Sequence, residues 1–79
     1  MCSISVSADT EAFEEMKEMA EQGFAHAQFN VGNMYYRGEG VPQNYKQAFR
    51  WFTKAAWKGH GKAQASLGVM YDSGDGVLQ

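Results

Sequence analysis

The stretch Gly38 to Gly59, GEGVPQNYKQAFRWFTKAAWKG, reads as a loop, a helix and a stop, and most of the remaining chain can be laid over it or its flanks. Gly38 can take the left-handed cap conformation without a Cβ penalty, so it ends the helix before it. Pro42 fixes φ ahead of the next helix. Asn44 offers an N-cap oxygen, and Gln47 stands three residues on, at the spacing of a capping box. Ala48, Trp51, Phe52, Ala55 and Ala56 then form a broad apolar stripe at helical spacing, and Gly59 closes the unit.

Sliding the chain on itself by 36 places lays Ala12 and Phe13 on Ala48 and Phe49, Ala20 on Ala56, Gly23 on Gly59, and Ala27 and Gln28 on Ala63 and Gln64. The match continues, with Gly32, Met34, Tyr35, Gly38, Gly40, Val41 and Gln43 falling on Gly68, Met70, Tyr71, Gly74, Gly76, Val77 and Gln79. Small and aromatic positions coincide while charged ones vary, which is the mark of a repeated packing constraint.

At 79 residues the chain is one small domain, of a size whose single core yields only about 3 to 5 kcal/mol of net stability. Its one cysteine, Cys2, excludes an internal disulfide, a four-cysteine zinc site and a CxxC redox pair. A net charge of −2 leaves no electrostatic footprint for nucleic acid. No apolar run approaches the roughly 20 residues of a membrane span.

The strings AQFNVGNMYYRGEGV, NYKQAFRWFTKAAWKG and AQASLGVMYDSGDGV closely resemble the Sel-one-like repeat, a tetratricopeptide-like helix-turn-helix unit of about 36 residues. The resemblance runs from about Ala12 to Gln79 and is carried by Gly-x-Gly-Val and by Trp-Phe-x-Lys-Ala-Ala. Val31 stands where the pattern has Leu, and Glu15 where it has Trp, so the first helix is the most diverged. The implied fold is all-α, a right-handed α/α superhelix (solenoid) of about two repeats in four antiparallel helices. Its units fall at about 27–62 and, in part, 63–79, preceded by a partial unit at 9–26.

Periodicity places the first helix at about Asp9 to Gln22, capped at Asp9 or Thr10, with Ala12, Phe13, Met16, Met19 and Ala20 inward. The second, about Ala25 to Arg37, turns Ala27, Val31, Met34 and Tyr35 inward. The fourth, about Gly61 to Ser73, repeats it with Ala63, Leu67, Met70 and Tyr71. The alanines of helix three face Gly32 and Gly68, which lets helix axes approach closely. Residues 1–8 read as a flexible arm. As written the chain is expected to be soluble and cytoplasmic; the alternative is a periplasmic or secreted protein whose arm is the tail of an export signal.

No nucleophile motif accompanies His26 or His60, and no third and fourth zinc ligand stands at a useful spacing, so exposed or capping roles are expected for both. Gly38-Glu39-Gly40 and Gly74-Asp75-Gly76 have the wrong spacing for a calcium loop and read as helix terminators. Neither a metal nor a cofactor is expected. Lys46, Arg50, Lys54 and Lys58 recur every four residues on helix three, whereas helix one carries Glu14 and Glu18 at the positions of Arg50 and Lys54. This is a solvated ridge or, more sharply, a basis for head-to-tail docking between copies.

In superhelical repeats the first, or A, helix of each unit lines the concave face; here these are helices two and four, with helices one and three the B helices. Helix phase puts Phe29, Asn33, Tyr36 and Arg37 opposite the inward stripe, with Ala65, Val69, Asp72 and Ser73 as their repeat mates. The expected function is therefore a non-enzymatic scaffold or interaction module holding a protein or peptide partner at Phe29, Asn33, Tyr36, Arg37, Val69 and Asp72. The alternatives are a fragment of an exported, β-lactamase-like cell-wall hydrolase, which the resemblance implies, and a piece that self-associates through uncapped ends.

Overall fold

The computed structural model describes residues 8–74, with side chains from Glu11 onward. Four helices are formed there, α1 (Ala8–Glu21), α2 (Ala25–Arg37), α3 (Tyr45–Trp57) and α4 (Gly61–Ser73), each packed on the next in chain order. The expected arm lies outside the described residues except Ala8, which already belongs to α1, so this helix begins one residue before the expected start at Asp9, and Asp9 and Thr10 lie inside it and do not cap it. The Gly76, Val77 and Gln79 matches also lie outside them.

The 36-residue period reappears as paired contacts. Gly23 N donates to Ala20 O at 3.0 Å, and Gly59 N to Ala56 O at 2.9 Å. Gly38 N donates to Met34 O and Gly74 N to Met70 O, each at 2.8 Å. Gln28 Nε2 donates to Ala20 O at 3.1 Å, and Gln64 Nε2 to Ala56 O at 3.2 Å. Phe13 meets Tyr35 edge-on at 5.4 Å between ring centres, as Phe49 meets Tyr71 at 5.5 Å. Gly38 and Gly74 both hold positive φ, 75° and 76°, at helix ends, which is the terminator role expected of them.

Helix α3 starts where Asn44 Oδ1 accepts from Gln47 N at 3.1 Å, satisfying one of the amides a helix start leaves orphaned. Asn44 is also tied back by its own N–H to Tyr35 O at 2.9 Å, which fixes the loop from α2. Asn44→Ala is expected to cost about 1 kcal/mol. That is about 4–8 °C in a thermal melt of a domain this small; an unchanged melting temperature would show that the cap contributes nothing.

Two adjacent rings on α3 serve different cores. Trp51 joins Phe13, Ala20, Ala27 and Val31 between α1 and α2. Phe52 joins Ala48 and Met70 between α2 and α4. Ala48, Ala55 and Val31 are fully buried, and Ala56 is half-buried, so the inner stripe of α3 is as expected.

The outer helices depart from expectation. Ala12 and Met19 on α1 are exposed, although their mates Ala48 and Ala55 are buried. Tyr71 is 63% exposed and Gly68 is exposed, although Tyr35 is half-buried and Gly32 buried. The reason is positional: α2 and α3 each have a helix packed closely on both sides, while α1 packs chiefly on α2 and α4 chiefly on α3, so that the far face of each outer helix has no described neighbour. Gly32 does admit α3 closely, since a Cβ there would lie 2.6 Å from Phe52 Cδ1. At Gly68 a Cβ would meet nothing within 4 Å among the described residues.

Candidate functional site

The A helices α2 and α4 flank a groove of about 200 Å³ lined by Asn33, Tyr36, Arg37, Ser66 and Val69, with Phe52 and Met70 beneath. Its floor is closely packed, with Phe52 and Met70 almost fully buried. Its walls come from one face of each helix, since Asn33, Tyr36 and Arg37 lie within one turn of α2, and Ser66 and Val69 within one turn of α4.

Tyr36 is held at its ring from two sides and at its backbone by a third contact. Its ring lies 5.1 Å from that of Tyr45 and 6.4 Å from that of Phe52. Its carbonyl accepts from Gln43 Nε2 at 3.0 Å, and the same amide lies 3.3 Å from Tyr45 Oη. A side chain fixed before a ligand arrives loses little freedom on binding. Arg37 is exposed at the mouth, at the end of α2 where the helix dipole favours a cation.

Four of the six expected contact residues, Asn33, Tyr36, Arg37 and Val69, are thus brought together. Phe29 is not among the lining residues. Its ring lies 5.7 Å from Phe52 and 4.8 Å from His60, so it buttresses the end of the groove. Asp72 is exposed and also outside the lining. Ser66 was missed because helix phase singled out Ala65, Val69, Asp72 and Ser73 as the outward positions of α4, and Ser66, one residue from Ala65, fell outside that set although it is three residues before Val69 on the same side.

Aromatic rings continue as a ladder along this side. From Tyr45 it passes through Tyr36, Phe52 and Phe29 to His60 and His26, the last pair 6.0 Å apart. His60 Nδ1 accepts from Ala63 N at 3.2 Å and so caps α4, one of the two roles expected for the histidines. His26 is exposed, the other. Among the described residues no group of three or more His, Cys, Asp or Glu could hold a metal ion, and no helix is long and apolar enough to cross a membrane.

Alternating helices with glycine stops and paired corner contacts define a tetratricopeptide-like helical-repeat solenoid. The Sel1 repeat profile matches residues 25–60 and 61–79, more than half the chain, and the chain belongs to the Sel1 repeat family. A Sel1-like repeat-containing protein of Acanthamoeba polyphaga mimivirus is 43% identical over 42 residues, covering 53% of this chain and 7% of that protein. The crystal structure of a Sel1 repeat protein from Oxalobacter formigenes superposes with a TM-score of 0.85 at 39% identity, over 87% of this chain and 28% of that one. A protective antigen present in uropathogenic Escherichia coli strains, displaying the same repeat fold, gives 0.86 at 36% identity over 87% and 15%. The chain therefore spans only a small part of each of these proteins. Repeats of this family generally serve as protein–protein interaction modules.

Proposed function

We propose that this chain is a non-enzymatic interaction module that holds an extended peptide or protein segment in the groove between α2 and α4. The observation that carries the reading is the groove itself, in which a prefixed Tyr36 and an exposed Arg37 stand over an apolar floor. At about 200 Å³ it is smaller than the roughly 300–1,000 Å³ of pockets that enclose small ligands, and it suits single side chains of a longer partner. Tyr and Arg are also the residue types that most often dominate interface energies.

Arg37 beside Asn33 and Ser66 suits a carboxylate or a backbone carbonyl, and Val69 with Met70 a neighbouring apolar side chain. The test begins with selection from a displayed random-peptide library on the folded chain, followed by calorimetry of the best peptide. Tyr36→Ala together with Arg37→Ala is expected to weaken it by about 2 to 4 kcal/mol with helicity retained. Undiminished binding by a folded double variant would place the site elsewhere.

A further inference from the structure

The exposed faces of α1 and α4 are the two halves of a contact that the chain already makes internally. Within the chain, α3 packs on α2 by setting the Phe52 ring against Gly32. Gly68 is the same hole one repeat later, and no described atom fills it. Met16 is at the Phe52 register one repeat earlier, and Ala12 and Met19, the mates of two fully buried alanines, flank it in the open.

We propose that the chain stacks head to tail on a second copy of itself, α1 of one copy taking on α4 of the other the place that α3 takes on α2. The internal groove between the B helices supplies the template. It is lined by Lys17, Glu21 and Tyr35 on one side and by Gln47, Arg50, Trp51 and Lys54 on the other. Shifted by one repeat, these become Thr53, Trp57 and Tyr71 of one copy facing Glu11, Glu14, Glu15 and Glu18 of the next. Trp57 and Tyr71, 85% and 63% exposed, are the two most exposed large apolar side chains among the described residues, and the stack covers both.

Charge selects this pairing over the others. A concavity of about 590 Å³ on α1 is lined by Glu11, Glu14, Glu15, Glu18 and Glu21, with Phe13 and a single cation, Lys17. Helix α3 and its cap carry Lys46, Arg50, Lys54 and Lys58 and no acidic residue. Pairing α1 with α1 opposes like charges, and pairing α4 with α4 leaves the acidic flank uncovered, whereas head-to-tail contact sets the acidic flank beside Thr53 and Trp57 on α3, a helix of net positive charge whose Arg50 and Lys54 themselves line the groove toward their own α1. Such a contact is heterologous and does not close on itself at two copies, so it extends.

Sedimentation velocity of the 79-residue chain from about 10 μM to about 1 mM, at about 20 mM and about 0.5 M salt, tests this. The expected result is a mass that climbs past dimer with concentration and falls with salt. Trp57 emission should shift to the blue in parallel, since the other tryptophan, Trp51, is already buried. Gly68→Leu adds a side chain where no described residue stands within 4 Å, so the fold should stand while association falls by at least about tenfold. The pair Glu14→Lys and Glu18→Lys should weaken association and remove its salt dependence, and decides the matter if Gly68→Leu fails to fold. A monomer throughout, a mass that stops at dimer, or growth unaffected in folded variants would overturn the proposal.

Discussion

Phe52→Ala is expected to leave the chain largely unfolded at 25 °C. The Phe52 ring is 1% exposed and is shared by three helices, touching Gly32, Phe29 and Tyr36 from α2 and clustering with Ala48 of α3 and Met70 of α4. Truncating a buried Phe costs about 3–5 kcal/mol, through lost transfer energy and the cavity left behind. A single-core domain of this size holds only about 3–5 kcal/mol in total. Far-UV circular dichroism should show most of the helical signal lost without denaturant. Phe52→Leu, which keeps much of the volume, should remain folded with a lowered melting point. A Phe52→Ala variant that melts cooperatively within about 4 °C of the parent would mean that the second core does not hold the molecule together.

Gly32→Ala and Gly68→Ala are expected to change stability in opposite directions, although the two glycines occupy the same place in successive repeats. In isolation each replacement gains up to about 1 kcal/mol of helix propensity. At Gly32 the added methyl would lie 2.6 and 2.7 Å from Phe52 Cδ1 and Cε1, and the ring cannot retreat because Phe29 and Tyr36 lie within aromatic contact of it. Overpacking of this kind costs about 1–3 kcal/mol, which outweighs the gain. At Gly68 nothing described stands in the way, so the propensity gain survives. Urea melts of both variants in dilute solution check the signs. A Gly32→Ala variant as stable as Gly68→Ala would show that α2 and α3 do not approach as closely as the Phe52 contact requires.

These glycines also show what was legible in the sequence. Propensity and spacing alone located all four helices to within a residue, because Gly23, Gly38, Gly59 and Gly74 punctuate them and Asn44 announces the third. The inner stripe of α3 was legible because α3 has a packed neighbour on both sides. The environments of Ala12, Met19, Gly68 and Tyr71 were not, since a repeat pattern records what a position faces in the middle of a stack, and these four lie on faces that no described helix covers. At the groove, helix phase found Asn33, Tyr36, Arg37 and Val69. It could not separate Phe29 from them, because phase gives direction from an axis while the distance to His60 and Phe52 depends on how neighbouring helices cross.

The amides of Gln28 and Gln64 have a consequence for shape. Each reaches back from the first turn of an A helix to a carbonyl in the last turn of the B helix before it, at 3.1 and 3.2 Å. That carbonyl already accepts the glycine N–H of the corner, so the side chain uses its second lone pair and pins the two helices at one dihedral setting. Pitch in a stacked array is the sum of such settings, and a small rotation at one corner is inherited by every unit beyond it. The curvature of such an array is therefore set in part at the corners, by residues that lie outside the groove.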